Sequence, residues 1–373
     1  MSEKSQSNSN LVPTGMPTLA VRRPRPIKVG FVPLNDCAPL VMAKELGIYN
    51  KFGLNVRLSR ELGWATIREK LIYDELDLTQ AVAGLPYAST FGIGSAPVEC
   101  HAILVLSRQG NAVTLSTALR DQGVKDGEAL ASYVRAKRGE RLLTFGVVSL
   151  CSSHNFLMRM WLQKNGIDPD EDVQIAVLPP PQVSLNLRAG NLDGYCVGEP
   201  WNTIAIREGH GFPVATSLGL CPGHPEKVLM AKADFAEGHR EECVAFSAAM
   251  MEAGRYCDDP DNYGEIASVL ARPEYLGLSP NLIQTSFKGS FDRLDGEERA
   301  PMHVFHFGAA NNPCPESSSW VLSSFRNSLS EAERSKIRPA TARRIYRADI
   351  YEEAREFLAK HAEANLAHDV VAA

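Results

Sequence analysis

The sequence has no CxxC pair and no cysteine–histidine cluster at zinc-binding spacing, which excludes the common redox and structural-zinc motifs. Its eight cysteines, Cys37, Cys100, Cys151, Cys196, Cys221, Cys243, Cys257 and Cys314, are scattered singly. That pattern suits small buried apolar residues in a reducing compartment. No stretch approaches the ~20 apolar residues of a membrane-spanning helix. There is no long basic run, and the formal net charge of −5 argues against a broad nucleic-acid-binding surface. The N-terminal stretch MSEKSQSNSNLVPTGMPTLAVRRPRPIKV is Ser/Asn-rich and then Pro-rich, and prolines and charges interrupt every candidate secretory h-region. Arg22-Arg23 is not followed by an apolar run. The expectation is a disordered tail over residues 1–25 on a cytoplasmic protein.

Catalytic signatures are missing as well. GxSxG, HExxH, a Walker loop and a Rossmann glycine pattern do not occur. His303 and His306 in HVFH lack an evident third metal ligand. Glu199 has no paired carboxylate and suits a turn or supporting role better than that of a general acid. The chain is expected not to be an enzyme and to need no cofactor.

What is present is a regular alternation. The 373 residues are enough for two ordinary domains, and 44% hydrophobic with 22% charged residues is a soluble globular composition. IKVGFVPL, NVRLSR, LTQAVAG and HAILVLS have strand patterns, and helical patterns separate them, the last running to about Gly94. This order predicts an α/β domain with a largely parallel sheet. The rhythm restarts at LTFGVVS, with a helix over 153–165, strand VQIAVL, a helix over 181–189, strand GYCVG and a helix over 200–208. KVLMAKADF is one more strand candidate, after which the chain turns mainly helical. No internal repeat stands out. A second α/β unit inserted into a first predicts two lobes with a ligand cleft between them. The first lobe takes residues 26–112 and 228–373, including the C-terminal helices, and the second takes 113–227.

Ligands of open α/β sheets sit beyond the carboxyl ends of the strands, so the strand-to-helix junctions carry the candidates. Trp64 stands at the first turn of the helix after NVRLSR, where its indole N–H could serve an acceptor or its ring could simply fill the core. His154 opens the apolar stripe Leu157, Met158, Trp161 and Leu162, with Ser152 or Ser153 as the N-cap. It could meet an anion at the helix N-terminus or be satisfied by a backbone carbonyl. LPPPQ gives a rigid strand exit, with Gln182 beginning the next helix, and GEPWN places Pro200 at a helix start. Gln109, near the crossover between lobes, offers a donor and an acceptor without charge, or is a surface residue. Lys227 in GHPEKVLM is a certain cation, either solvated at a strand entrance or facing a ligand. Together Trp64, Gln109, His154 and Lys227 provide donors and positive charge but no nucleophile–base pair. That set suits binding of a small anion.

FVPLNDCAPLVMAKELGIYNKFG, GWATIREKL, QGNAVTLS, SHNFLMRMWL, LPPPQ, DGYCVGEPWN and HPEKV, in this order, resemble the nitrate-binding proteins of ABC importers. The similarity runs from about residue 27 to beyond residue 235. It implies a type II periplasmic-binding-protein fold. It also implies that Trp64, Gln109, His154 and Lys227 make the polar contacts to nitrate, with Pro180 and Val197 as the pocket wall. A sister branch that binds bicarbonate has a glutamine at the histidine position, a glutamate at the lysine position, and calcium. The histidine and lysine here imply nitrate or nitrite and no metal. With no export signal in view, the chain resembles the cytoplasmic NasS-type nitrate/nitrite sensors. In that family the ligand-free sensor holds an RNA-binding antitermination regulator of the ANTAR type and releases it on anion binding. An exported importer subunit is the alternative, and a distantly similar thiamine-pyrimidine synthase would need a cysteine cluster that this chain lacks. Lys227→Ala is expected to abolish anion binding and leave the fold intact.

Overall fold

The computed structural model describes residues 25–289 and 302–372, so the expected tail lies outside the described residues except for Arg25. Among the described residues, eleven strands form two sheets. They are β1 (Ile27–Phe31), β2 (Val56–Arg60), β3 (Leu78–Val82), β4 (Cys100–Gln109), β5 (Asn111–Ser116), β6 (Leu143–Val147), β7 (Val173–Val177), β8 (Gly194–Gly198), β9 (Gly211–Thr216), β10 (Pro225–Lys232) and β11 (His303–Val304). The first sheet has the order β11-β4-β10-β3-β1-β2 and the second β7-β6-β8-β5-β9.

Neither sheet is largely parallel, contrary to the sequence expectation. β1 pairs in parallel with β2 and β3, but β10 runs antiparallel to both β3 and β4. In the second sheet β6 is parallel to β7 and β8, whereas β5 is antiparallel to β8 and β9. The cause is the crossover. β4 runs out of the first sheet and the chain enters the second as β5, and β10 brings it back against the grain of its neighbours. The sequence reading names no strand at β5 or β9 and places Gln109 near the crossover between lobes. There Gln109 (φ 63°) and Gly110 (φ 92°) turn the chain from β4 into β5. The sheets therefore exchange the chain at Gly110 and at Pro225, not at the 112/113 and 227/228 junctions drawn from the sequence.

The two units share a construction that the sequence hides. Arg25 donates to Asp77, which also accepts from the Lys28 N–H of β1. Arg141 donates to Asp193, which accepts from the Thr144 N–H of β6. Both guanidinium–carboxylate pairs span 52 residues, and both backbone bonds span 49. Each aspartate ties the first strand of a unit to the turn before its third strand.

Helices cover the sheet faces. The helix Ser153–Lys164 starts where Ser152 accepts from the Asn155 N–H, and it buries Leu157, Met158, Trp161 and Leu162 as the spacing predicted. Each such side chain contributes roughly 1.5–3 kcal/mol by leaving water. Two helices begin at Pro180 and Trp201 rather than at Gln182 and Pro200. Pro180 needs no N–H partner at a first helical position. Outside the first sheet, the helix Arg240–Asp258 packs on the C-terminal helix Ala348–Ala372. Among the described residues no helix is long and apolar enough to cross a membrane.

One apolar cluster joins the two units. It runs from Trp64, Val82 and Tyr87 of the first to Phe156, Val183, Val197 and Trp201 of the second. Backbone contacts cross with it: the Asn35 N–H donates to the Glu199 carbonyl at 2.9 Å, and the Trp201 indole to the Pro33 carbonyl at 3.3 Å. These contacts join the two units.

Candidate functional site

Lys227 lies on β10 and is fully buried. A strand should alternate its side chains between faces. The β10–β4 pairing shifts register on both sides of Lys227, and such bulges re-aim side chains. As a result the consecutive residues Glu226 and Lys227 both join one polar cluster. The Lys227 ammonium stands 2.8 Å from Asp36 Oδ2, donates to Glu226 Oε1, and lies 5.3 Å from the centre of the Trp64 ring, within cation–π range. Burial works against its charge, but Asp36 and Glu226 together raise its pKa above the ordinary lysine value. Lys227 is thus a cation at any physiological pH, and it is not the solvated strand-entrance charge that was the plain alternative.

His154, at the N-terminus of its helix, is also fully buried. Its Nε2 is 2.9 Å from Glu226 Oε1, yet the approach is off the line of a ring N–H, so neither ring nitrogen makes a directed hydrogen bond. Glu226 Oε2 accepts from Asn111 Nδ2 at 2.5 Å and from the Ser153 hydroxyl, and it faces His224 Nδ1 at 3.9 Å. Burial alone would raise the Glu226 carboxyl, but Lys227 and His154 drive it well below the usual range. Asp36 takes the opposite direction, because its burial outweighs the opposing pull of Lys227. Gln80 supports it with an amide donor 2.6 Å from Oδ1.

The other sequence candidates fall around this cluster. The Trp64 indole N–H is buried and has no partner among the described residues. Gln109, 7% exposed, sits in left-handed backbone at the crossing, and its side-chain carbonyl is unpaired. Pro180 is buried at the start of its helix, and the preceding Pro179 faces Gly63, which caps the Trp64 helix, across the cleft. Val197 on β8 is fully buried and joins the apolar cluster that bridges the lobes. His154 and Lys227 are therefore brought to the two carboxylates, with the Trp64 ring beside Lys227, whereas Gln109, Pro180 and Val197 make no direct bond to them.

His303 and His306 do not form a pair. His306 bonds Asn311 at 2.8 Å, while His303 stacks on Phe305, opposite Gln109 in the β11–β4 pairing. Burial and then Lys227 push the His303 imidazole down to about 3, so it is neutral. Glu199 is buried just after β8, and burial pushes its carboxyl up to about 7.

Sequence reasoning missed Asp36, Glu226, Asn111 and Ser153 as members of the cluster. Asp36 had a usable signal, since it follows the carboxyl end of β1 in FVPLND. Glu226 had none, because strand alternation puts it on the opposite face from Lys227. Chemically, the cluster offers a fixed cation, unpaired neutral donors and two acids. The Ser153 hydroxyl in it donates to the Glu226 carboxylate.

The family profile described as the NMT1-like family matches residues 21–271. A nitrate import ATP-binding protein, NrtC of Synechocystis, is 40% identical over 301 residues, which is 79% of this chain and 45% of that protein. A bicarbonate transport ATP-binding protein, CmpC of Synechococcus elongatus, is 38% identical over 298 residues, 79% of this chain and 44% of that protein. The chain thus spans about half the length of these curated relatives. The crystal structure of the periplasmic nitrate-binding protein NrtA from Synechocystis superposes with a TM-score of 0.81 at 26% identity, covering 91% of this chain and 90% of that one.

Proposed function

This chain belongs to the NMT1-like family and has the two-lobed fold of periplasmic binding proteins, and from that premise we propose that it binds nitrate or nitrite between its lobes and serves as a cytoplasmic sensor. The observation that carries the reading is the fully buried Lys227 cation beside the unpaired indole N–H of Trp64 and the undirected imidazole of His154. A small oxyanion losing its hydration needs a charge-assisted donor and neutral donors around it. Gln109 would add orientation, and Pro180 and Val197 the dry wall.

In this reading the ligand-free chain holds an ANTAR-type RNA-binding antiterminator and releases it when the anion binds. That coupling requires the anion and the regulator to favour different lobe arrangements. No chemical step is assigned. An exported subunit of an importer would use the same cleft, so fractionation separates the two roles. Bicarbonate with a divalent cation is the ligand to test against it: Lys227 already engages Asp36 and Glu226, and among the described residues no group of three His, Cys, Asp or Glu is placed to hold a metal ion.

Calorimetric titration with nitrate, nitrite, and bicarbonate with and without calcium tests the ligand. Saturable nitrate or nitrite binding without calcium is expected, and calcium-dependent bicarbonate binding alone would replace the reading. A pull-down of endogenous partners should recover an RNA-binding regulator without nitrate and lose it when nitrate is added. A regulator retained equally in both would refute the sensor role.

A further inference from the structure

The side chain of Glu226 starts on β10, in the first sheet, and ends among donors of the second lobe. Its Oε2 takes hydrogen bonds from Asn111 at the start of β5 and from Ser153 at the start of the helix Ser153–Lys164. Its Oε1 takes the Lys227 ammonium and lies 2.9 Å from His154 Nε2. A carboxylate is a flat, delocalised oxyanion, as are nitrate, nitrite and bicarbonate. It therefore occupies the cation and the histidine that an external anion of that shape would use, and it does so at a helix N-terminus, where N–H groups and the dipole favour negative charge. Because one end is anchored in the first lobe and the other is bonded in the second, the same contacts hold the lobes together.

We propose that Glu226 is a tethered anion: it ties the two lobes together across Lys227, and an external anion binds there by displacing it. The proposal rests on the anion-binding reading for its second half only. The contacts support it. The Glu226 carboxylate takes the Lys227 ammonium and stands against His154, so a free anion reaches those two groups only where Glu226 moves off them. His303, Asn111 and Ser153 face the same carboxylate or its neighbours and contribute no further positive charge. A carboxylate on the same chain acts at an effective concentration on the order of millimolar or above, so it sets a threshold that free ligand must exceed.

The test uses the full chain and Glu226→Gln, which keeps the shape and removes the charge. Small-angle scattering without added anion should give a larger radius of gyration for the variant than for the wild type. Titration with sodium nitrate should give at least about tenfold tighter binding to the variant, together with a return to the compact form. A variant as compact as the wild type, or one that binds nitrate no more tightly, overturns the proposal. If neither protein binds nitrate and the variant still opens, the latch stands and the nitrate reading falls. Asn111→Ala, which removes one second-lobe donor and leaves every charge in place, should move both readouts in the same direction by a smaller factor. If Glu226→Gln does not fold, the absence of any shift in Asn111→Ala overturns the proposal.

Discussion

Replacing Lys227 by methionine tests the electrostatic core of the site. The expectation from the sequence was that losing this lysine would spare the fold, and the structure argues otherwise. Lys227 is fully buried, 2.8 Å from Asp36 Oδ2 and bonded to Glu226. Breaking a buried ion pair by removing one partner costs about 3–5 kcal/mol, because the remaining charge stays buried. A lobe of this size loses roughly 2–4 °C in melting temperature per kcal/mol, so Lys227→Met should melt about 6–20 °C lower at pH 7. The sign of the pH dependence follows from the directions of the shifts. The Glu226 carboxyl is held low in the wild type, so its stabilisation is present above the ordinary carboxyl range and is lost only as pH falls through the lowered value. Lys227 is held high, so its contribution persists below the ordinary lysine value and fades only as pH rises through the raised one. In the variant both acids lose their cation and the folded state favours a proton. The unfolded chain releases that proton above about pH 4, so the deficit is largest at neutral pH and shrinks on acidification. Scanning calorimetry at pH 7 and pH 5 measures both effects. A drop smaller than about 2 °C, or an equal drop at the two pH values, would refute this account. The triple change Asp36→Asn, Glu226→Gln, Lys227→Met should restore most of the loss, since a neutral cluster carries no stranded charge.

Glu199→Gln should flatten part of the pH–stability profile. Burial pushes the wild-type carboxyl up from 4.5 to about 7, so the folded state holds a proton that the unfolded state loses between those values. Stability from this group therefore falls as pH rises through that window, by about 3 kcal/mol at most, and denaturant melts of the variant should lack that fall. Gly110→Ala should destabilise by more than about 2 kcal/mol, because φ is +92° and an added Cβ would stand 2.4 Å from His303 Nδ1. A thermal melt unchanged from wild type would remove the case for a required glycine at the crossing. Trp64→Phe keeps the ring under Lys227 and deletes the indole N–H, so it should weaken nitrate binding about five- to tenfold with little change in melting temperature. Unaltered affinity would mean the indole is not a ligand donor.

The alternation of strand and helix was legible because each element has a strong period of its own. The stripe Leu157, Met158, Trp161 and Leu162 fixed one helix, and the apolar runs IKVGF and LTFGV fixed the first strand of each unit. The crossing was legible only in part. The polar stretch SRQGN separates the apolar runs of β4 and β5, but nothing in it says that the left-handed turn at Gln109 and Gly110 sends them to different sheets. Strand direction was hidden for a related reason. A crossing strand has the same composition whichever way it runs, so the antiparallel pairings of β10 and β5 leave no mark in periodicity. The repeated aspartate clamps, Asp77 with Arg25 and Asp193 with Arg141, were equally invisible, because a repeat conserved at two polar positions does not stand out from the background.

At the site, residue chemistry exposed the donors and missed the acids, and the reason is geometric. Looking for what an anion needs selects Trp64, Gln109, His154 and Lys227, and passes over carboxylates as repulsive. Yet a lysine buried without a counter-charge would lose its proton or unfold its surroundings. A fully buried lysine therefore implies acids within reach, and the sequence holds two candidates near strand ends, Asp36 and Glu226. The first could be inferred on this ground. The second could not, because two consecutive residues of a strand share a face only where the ladder is broken, and the break around Lys227 exists in the pairing of β10 with β4 alone. The bulge thus turns an alternating Glu-Lys pair into a salt-bridged unit. It sets the lysine toward Asp36 and Trp64 and the glutamate toward Ser153, His154 and Asn111. On the proposal above, an anion reaches Lys227 only by displacing the carboxylate that the bulge has set beside it.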